Sequence, residues 1–143
     1  MRISGSTSCR TLLIVALAGC VDALAPPAGA VTFEPPFEFG ALWQQVETCS
    51  QLSGDLERVH WYVVPGISTF PCPSGECRGL WIGPHDIYLS HAAAHDLFQD
   101  DFFTVKHEML HDLVGAAGLS PVARAGHPPV FQRCGLLRDS VGT

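Results

Sequence analysis

His107, Glu108 and His111 stand in "TVKHEMLHDLVG", Thr104 to Gly115, as two histidines four positions apart with a glutamate directly after the first. On an α-helix, positions i and i+4 project about 40° apart, so the two imidazoles share one face and can reach one metal ion. Glu108 falls beside that face, where its carboxylate can take a proton from a water molecule activated by the metal. That is the chemistry of metal-assisted hydrolysis, with Zn2+ the expected ion. With seven His and six Glu in the chain, the pattern arises in about one shuffled sequence in a hundred, so its context has to carry the reading. Catalytic zinc wants three protein ligands and one open position, and the third must be sought elsewhere.

The metzincin pattern asks for Gly and His where this chain has Val114 and Ala117, which excludes that class. No glutamate follows Glu108, Asp112 is adjacent to a ligand, and Asp139 lies near the end. His127, in "GHPPVFQRC", is the remaining candidate. "HEMLH" and "GHPPVF", with fifteen residues between His111 and His127, together resemble the SprT-like zinc metallopeptidases. Those carry an HExxH helix followed by a third histidine in a Gly-His-x-x-x-Phe context. The resemblance implies that His107, His111 and His127 hold Zn2+, that Glu108 is the general base, and that the substrate is a peptide or protein. It covers about residues 104–134 and departs from the family at Pro128, where a small glycine is common, and in lacking a basic DNA-facing surface. The metal site carries over; DNA-linked substrates do not.

The elements that would position these residues can be read from periodicity. "FEFGALWQQVETCSQLS" places Phe39, Leu42, Trp43, Val46 and Cys49 on one helical face, with Gly54 as a stop. In "ERVHWYVVPG", Val59, Trp61 and Val63 alternate with His60, Tyr62 and Val64, a strand ended by Pro65-Gly66. Further strands are expected near Arg78–Ile82 and Asp86–Ser90, giving a three-stranded sheet. "HAAAHDLFQ" reads as a short helix, and Asp100 or Asp101 as the N-cap of the HEMLH helix, which Gly115 and Gly118 would stop. A last helix is expected from Pro128 to Leu137. The fold class is α+β: a small zincin-like domain with an N-terminal helix, a three-stranded sheet, the active-site helix and a C-terminal helix.

Residues 1–19 read as an export signal, with Arg2 and Arg10 ahead of a short apolar run from Leu12 to Leu17. Leu17-Ala18-Gly19-Cys20 resembles the lipobox of bacterial lipoproteins. That resemblance implies cleavage before Cys20, acylation of Cys20, and a place in the cell envelope, on the outer membrane or cell surface. An ordinary signal cut near Ala23 or Ala25 is the alternative. Residues 20–36, rich in Pro and Ala, would then be a lipid-anchored tether, and residues 37–143 the metallopeptidase domain.

Loss of residues 1–19 leaves six basic against fourteen acidic side chains, a formal charge of −8. With Lys106 the single lysine, no basic stripe exists to displace counterions, and nucleic acid is excluded as a partner. Cys49, Cys72, Cys77 and Cys134 remain, an even number that suggests two disulfides in an exported chain. The favoured pairs are Cys72–Cys77, closing a Pro-Ser-Gly-Glu turn, and Cys49–Cys134, joining the first helix to the last. A four-thiolate zinc site is disfavoured, because Cys49 and Cys134 stand alone.

His85, His91 and His95 form a second histidine group, read as solvated polar positions rather than a second metal site, and His60 as a solvent-facing strand residue. Arg78–Ile82 or Ile87–Ser90 could pair with an extended substrate, with Trp81 or Tyr88 lining a pocket or packing in the core. Tyr88, His91 and Arg124 are candidates to stabilise an oxyanion. The function expected is zinc-dependent peptide-bond hydrolysis at a membrane surface. The alternative is a non-catalytic surface lipoprotein with a structural zinc site or a partner-binding role.

Overall fold

The computed structural model describes residues 24–119 and 127–138. The expected signal, Cys20, Arg124 and Asp139 lie outside the described residues. In chain order the elements are β1 (Val31–Thr32), α1 (Glu38–Ser50), β2 (His60–Val64), β3 (Phe70–Cys72), β4 (Gly75–Cys77), β5 (Gly79–Ile82), β6 (Asp86–Ser90), α2 (His91–Ala94), α3 (Phe103–Ala116) and α4 (Pro129–Arg133). The architecture is mixed α+β, and no described helix is long and apolar enough to cross a membrane.

The sheet has four strands, not three, in the order β1-β2-β6-β5. β2 and β6 run parallel, from His60 opposite Asp86 to Val64 opposite Ser90, while β5 pairs antiparallel with β6. The added strand β1 comes from the stretch expected to be a tether: Val31 pairs with Val63, and Thr32 with Tyr62. Two residues between Gly29 and Pro35 are too few to display an alternating pattern. Phe33 continues the connection, its N–H donating to the Trp61 carbonyl at 2.9 Å and its ring packing 6.2 Å from that of Phe39.

Alternation along the strands divides the core. Trp61, Val63, Ile87 and Leu89 face the helices and join Phe39, Val46, Val105, Met109 and Leu113. Tyr88 and Val64 face the other way and pack on Phe70 and Leu80. Each fully buried large apolar side chain contributes roughly 1.5–3 kcal/mol, so α3, with Val105, Met109, Leu110 and Leu113 all 0% exposed, is the most firmly seated element.

Several caps differ from expectation. Helix α1 ends at Ser50, with Gln51 rather than Gly54 in the left-handed conformation. Gly54 serves close packing instead: a Cβ there would lie 2.6 Å from Leu113 Cδ2. Neither Asp100 nor Asp101 caps α3; Phe102 takes the N-cap position, and Asp96 Oδ1 accepts from the N–H groups of Asp100 and Phe102. Gly115 lies inside α3, whereas Gly118 does close it, with Leu119 N–H bonded to the Val114 carbonyl and Gly118 N–H to that of Gly115. Helix α4 is one short turn that begins with Pro129 at its first positions and stops before Gly135, which has φ +66.

Both favoured disulfides are present. Cys72–Cys77 closes the β3–β4 hairpin and Cys49–Cys134 staples α4 to the end of α1.

Candidate metal centre

Because α3 is an uninterrupted helix, His107 and His111 lie one turn apart on one side of it, with ring centroids 4.9 Å apart. His127 comes from the segment entering α4, and its ring stands 4.7 Å from that of His107 and 5.0 Å from that of His111. Each histidine offers one nitrogen within 4.8 Å of the other two, the single such group among the described residues. Phe131, 0% exposed, lies beneath all three rings at 5.0, 4.6 and 4.6 Å, so one apolar side chain sets the height of the whole cluster.

Two features fit the donor set to a cation. His107 Nδ1–H donates to the Leu136 carbonyl at 2.7 Å, which turns its Nε2 lone pair towards the cluster. That Nε2 lies 3.0 Å from His127 Nε2, close to the roughly 3.3 Å edge of a tetrahedron with zinc–nitrogen bonds of about 2 Å. The Leu136 carbonyl is placed by the end of α4, where Leu136 N–H bonds to the Phe131 carbonyl and Gly135 N–H to that of Gln132. Burial keeps the imidazoles neutral and able to ligate. It lowers His107 to about 4, opposed by the Leu136 hydrogen bond, lowers His111 to about 3 together with the other two histidines, and lowers His127.

Glu108 is only 5% exposed, and burial raises its carboxyl to about 8 against a hydrogen bond from the Trp81 backbone. The close approach of β5 depends on Gly79, where a Cβ would lie 2.7 Å from Glu108 Oε1 and 2.7 Å from Thr104 Cγ2. The histidines and Glu108 share a cleft of about 300 Å³ with Leu24, Ser74 and Trp81. A buried carboxyl beside three neutral imidazoles, at a cleft lined in part by apolar side chains, is an arrangement able to move a proton next to a Lewis acid.

The other candidates separate. β6 is paired on both sides, so of the two strands considered for a substrate only β5 stands at the sheet's end. Trp81 lines the cleft, while Tyr88 is core on the opposite face, stacked on Tyr62 at 4.6 Å. His91 and His95 pack on each other at 4.4 Å. His85 is separate from them, bonded to Asp112. His60 is exposed and pairs with Asp86 at 2.9 Å.

Sequence reasoning passed over Gly79, Leu136 and the pairing of buried Asp112 with His85, which is half-buried rather than the solvated position expected. Only Asp112 carried a signal: it follows Val105 and Met109 at i, i+4 and i+7, an aspartate on an apolar stripe. Compared with family models, with curated proteins and with solved structures, the chain matches none. The likeness to SprT-like peptidases therefore rests on the residues of the HEMLH and GHPPVF segments.

Proposed function

We propose that the chain is a zinc-dependent peptide hydrolase of zincin-like layout, exported and anchored to the envelope membrane through Cys20. The observation that carries the proposal is the meeting of His107, His111 and His127, from two separate segments, beside the buried carboxyl of Glu108. His107, His111 and His127 would hold the ion and Glu108 would be the general base. Zn2+ bound there would supply a Lewis acid that polarises the scissile carbonyl and acidifies water. Glu108 takes the water's proton and passes it to the leaving amine. Trp81 and Leu80 keep bulk water from the sides of the cleft, which strengthens every charge interaction inside it. An extended substrate would lie along β5 beside α3, backbone bonds giving affinity and the cleft giving selectivity. The Leu-Ala-Gly-Cys sequence supports the anchor, and paired cysteines suit an oxidising compartment.

The test is metal analysis of protein purified without a histidine tag, followed by cleavage of a broad peptide library. One zinc per chain with cleavage lost in Glu108→Gln is the expected result. Full zinc occupancy with no Glu108-dependent cleavage would instead support the second reading, a non-catalytic surface lipoprotein with a structural zinc site or a partner-binding role, which the small cleft volume favours.

A further inference from the structure

Helix α3 carries His107, His111 and then Gly115 at successive i+4 positions. The indole of Trp81 occupies the place that a side chain at Gly115 would take: a Cβ there would lie 2.7 Å from Trp81 Cζ2 and 2.8 Å from Cη2. The same ring also meets Gly83, where a Cβ would lie 3.0 Å from Cη2. Two bare backbones thus make room for the indole. Its plane is parallel to the His111 imidazole within 10°, at a centroid distance of 6.1 Å, within the range of offset aromatic stacking.

The remaining freedom of the ring is removed by hydrogen bonding. Trp81 Nε1–H donates to Asp112 Oδ1 at 3.1 Å, and His85 Nδ1 stands 3.1 and 3.3 Å from the two Asp112 oxygens. Asp112 is 2% exposed, and neither Arg nor Lys pairs with it among the described residues. An apolar side chain at this position would serve the core better, since a buried carboxylate costs free energy unless its bonds are well made. The network does not touch the cluster directly. It reaches the cluster through the indole, which lines both the metal cleft and a second cavity of about 300 Å³ beside Arg58, Pro84 and His85.

We propose that Asp112 is a positioning residue which, with His85, clamps the Trp81 indole as the fixed wall that orients His111 and separates the metal cleft from the neighbouring cavity. The inference rests on the zinc reading of the three histidines. A wall of this kind acts as an outer support to a ligand, and losing such supports typically weakens metal affinity about 10–100-fold.

The test uses the folded chain, Zn2+ in competition with a chromophoric chelator, and Co2+ as a spectroscopic probe. Wild-type emission should change on Co2+ binding, and most of that change should vanish in Trp81→Phe, because Trp43 and Trp61 lie in the core. Asp112→Leu should bind Zn2+ about 10–100-fold more weakly, with an altered Co2+ visible spectrum. Asp112→Asn, which keeps an acceptor for the indole, should stay within about threefold of wild type. Should Asp112→Leu fail to fold, Trp81→Phe still decides, since it keeps an aromatic side chain while removing the donor, the reporter and the benzo edge that fills the space at Gly115 and Gly83. Wild-type affinity and Co2+ spectrum in a folded Asp112→Leu, or an undiminished emission change in Trp81→Phe, would overturn the inference and leave the zinc site standing. Failure of the wild type to bind either ion would overturn both.

Discussion

Replacing Glu108 by Gln preserves the side chain's shape and removes the charge that burial penalises, so the variant reads out that penalty in the metal-free protein. Folding raises the Glu108 carboxyl from 4.5 to about 8, burial outweighing the Trp81 backbone bond. A carboxyl raised in this way keeps its proton in the folded state where the unfolded chain has released it. Its contribution is neutral well below pH 4.5, and stability falls as pH climbs towards 8. At about 1.4 kcal/mol per pH unit, the folded state is disfavoured by about 3 kcal/mol at pH 7 and about 4 kcal/mol at pH 8. His107 and His111 act on the other limb. Lowered from 6.5 to about 4 and about 3, they leave the unfolded chain with more protons below pH 6.5, so stability falls as pH drops. The metal-free wild type should therefore be most stable around pH 6–7, and Glu108→Gln should abolish the alkaline decline and steepen the rise on the acid side above about pH 4.5. Urea denaturation with chelator present is the assay. The variant's advantage should grow from under about 1 kcal/mol at pH 5 to about 4 kcal/mol at pH 8, on the order of 10 °C in melting temperature. Zinc should shrink that gap, because a cation beside the carboxylate favours its ionised form. Parallel stability curves for the two proteins would refute the idea that burial holds Glu108 above the usual carboxylate range.

Three further perturbations address the rest of the centre. His127→Ala should lose most bound zinc; a metal content equal to wild type would remove His127 from the ligand set. Gly79→Ala places a Cβ 2.7 Å from Glu108 Oε1 and Thr104 Cγ2, which should cost about 1–3 kcal/mol in thermal denaturation. It should also reduce peptide turnover, and wild-type turnover would show that β5 does not set the position of Glu108. Cys134→Ser opens a bridge between residues 85 apart and should destabilise the domain by about 4–5 kcal/mol. Zinc affinity should fall with it, as measured by chelator competition; a folded variant with unaltered affinity would uncouple α4 from His107.

Much of this centre was legible because it is written in local periodicity. The i, i+4 spacing of His107 and His111 on an uninterrupted helix dictates that they share a side, and the Phe39-Leu42-Trp43-Val46 face gives α1 in the same way. The proximity of His127 was legible only through its Gly-His-x-x-x-Phe setting, whose phenylalanine, Phe131, is the side chain under all three rings. What could not be read depends on long-range geometry. The Leu136 carbonyl is a backbone atom with no residue-type signature. Gly79 and Gly115 matter because of what approaches them, and β1 is too short to have a period. The left-handed Gln51 and Phe102, with φ 59 and 51, are residues whose own preference gives no hint of that conformation.

The Cys49–Cys134 bridge has a consequence for when the centre matures. It fastens the turn that supplies Phe131, the Leu136 carbonyl and the approach to His127, while His107 and His111 sit on a helix the core holds independently. With the bridge reduced, the packing of Val130, Phe131 and Leu136 in the core would be left to hold that turn, and the triad would be less firmly assembled than in the oxidised chain. On the zinc reading, the hold on the ion would tighten once the two thiols have met an oxidant, and a chain in a reducing compartment would carry the looser site.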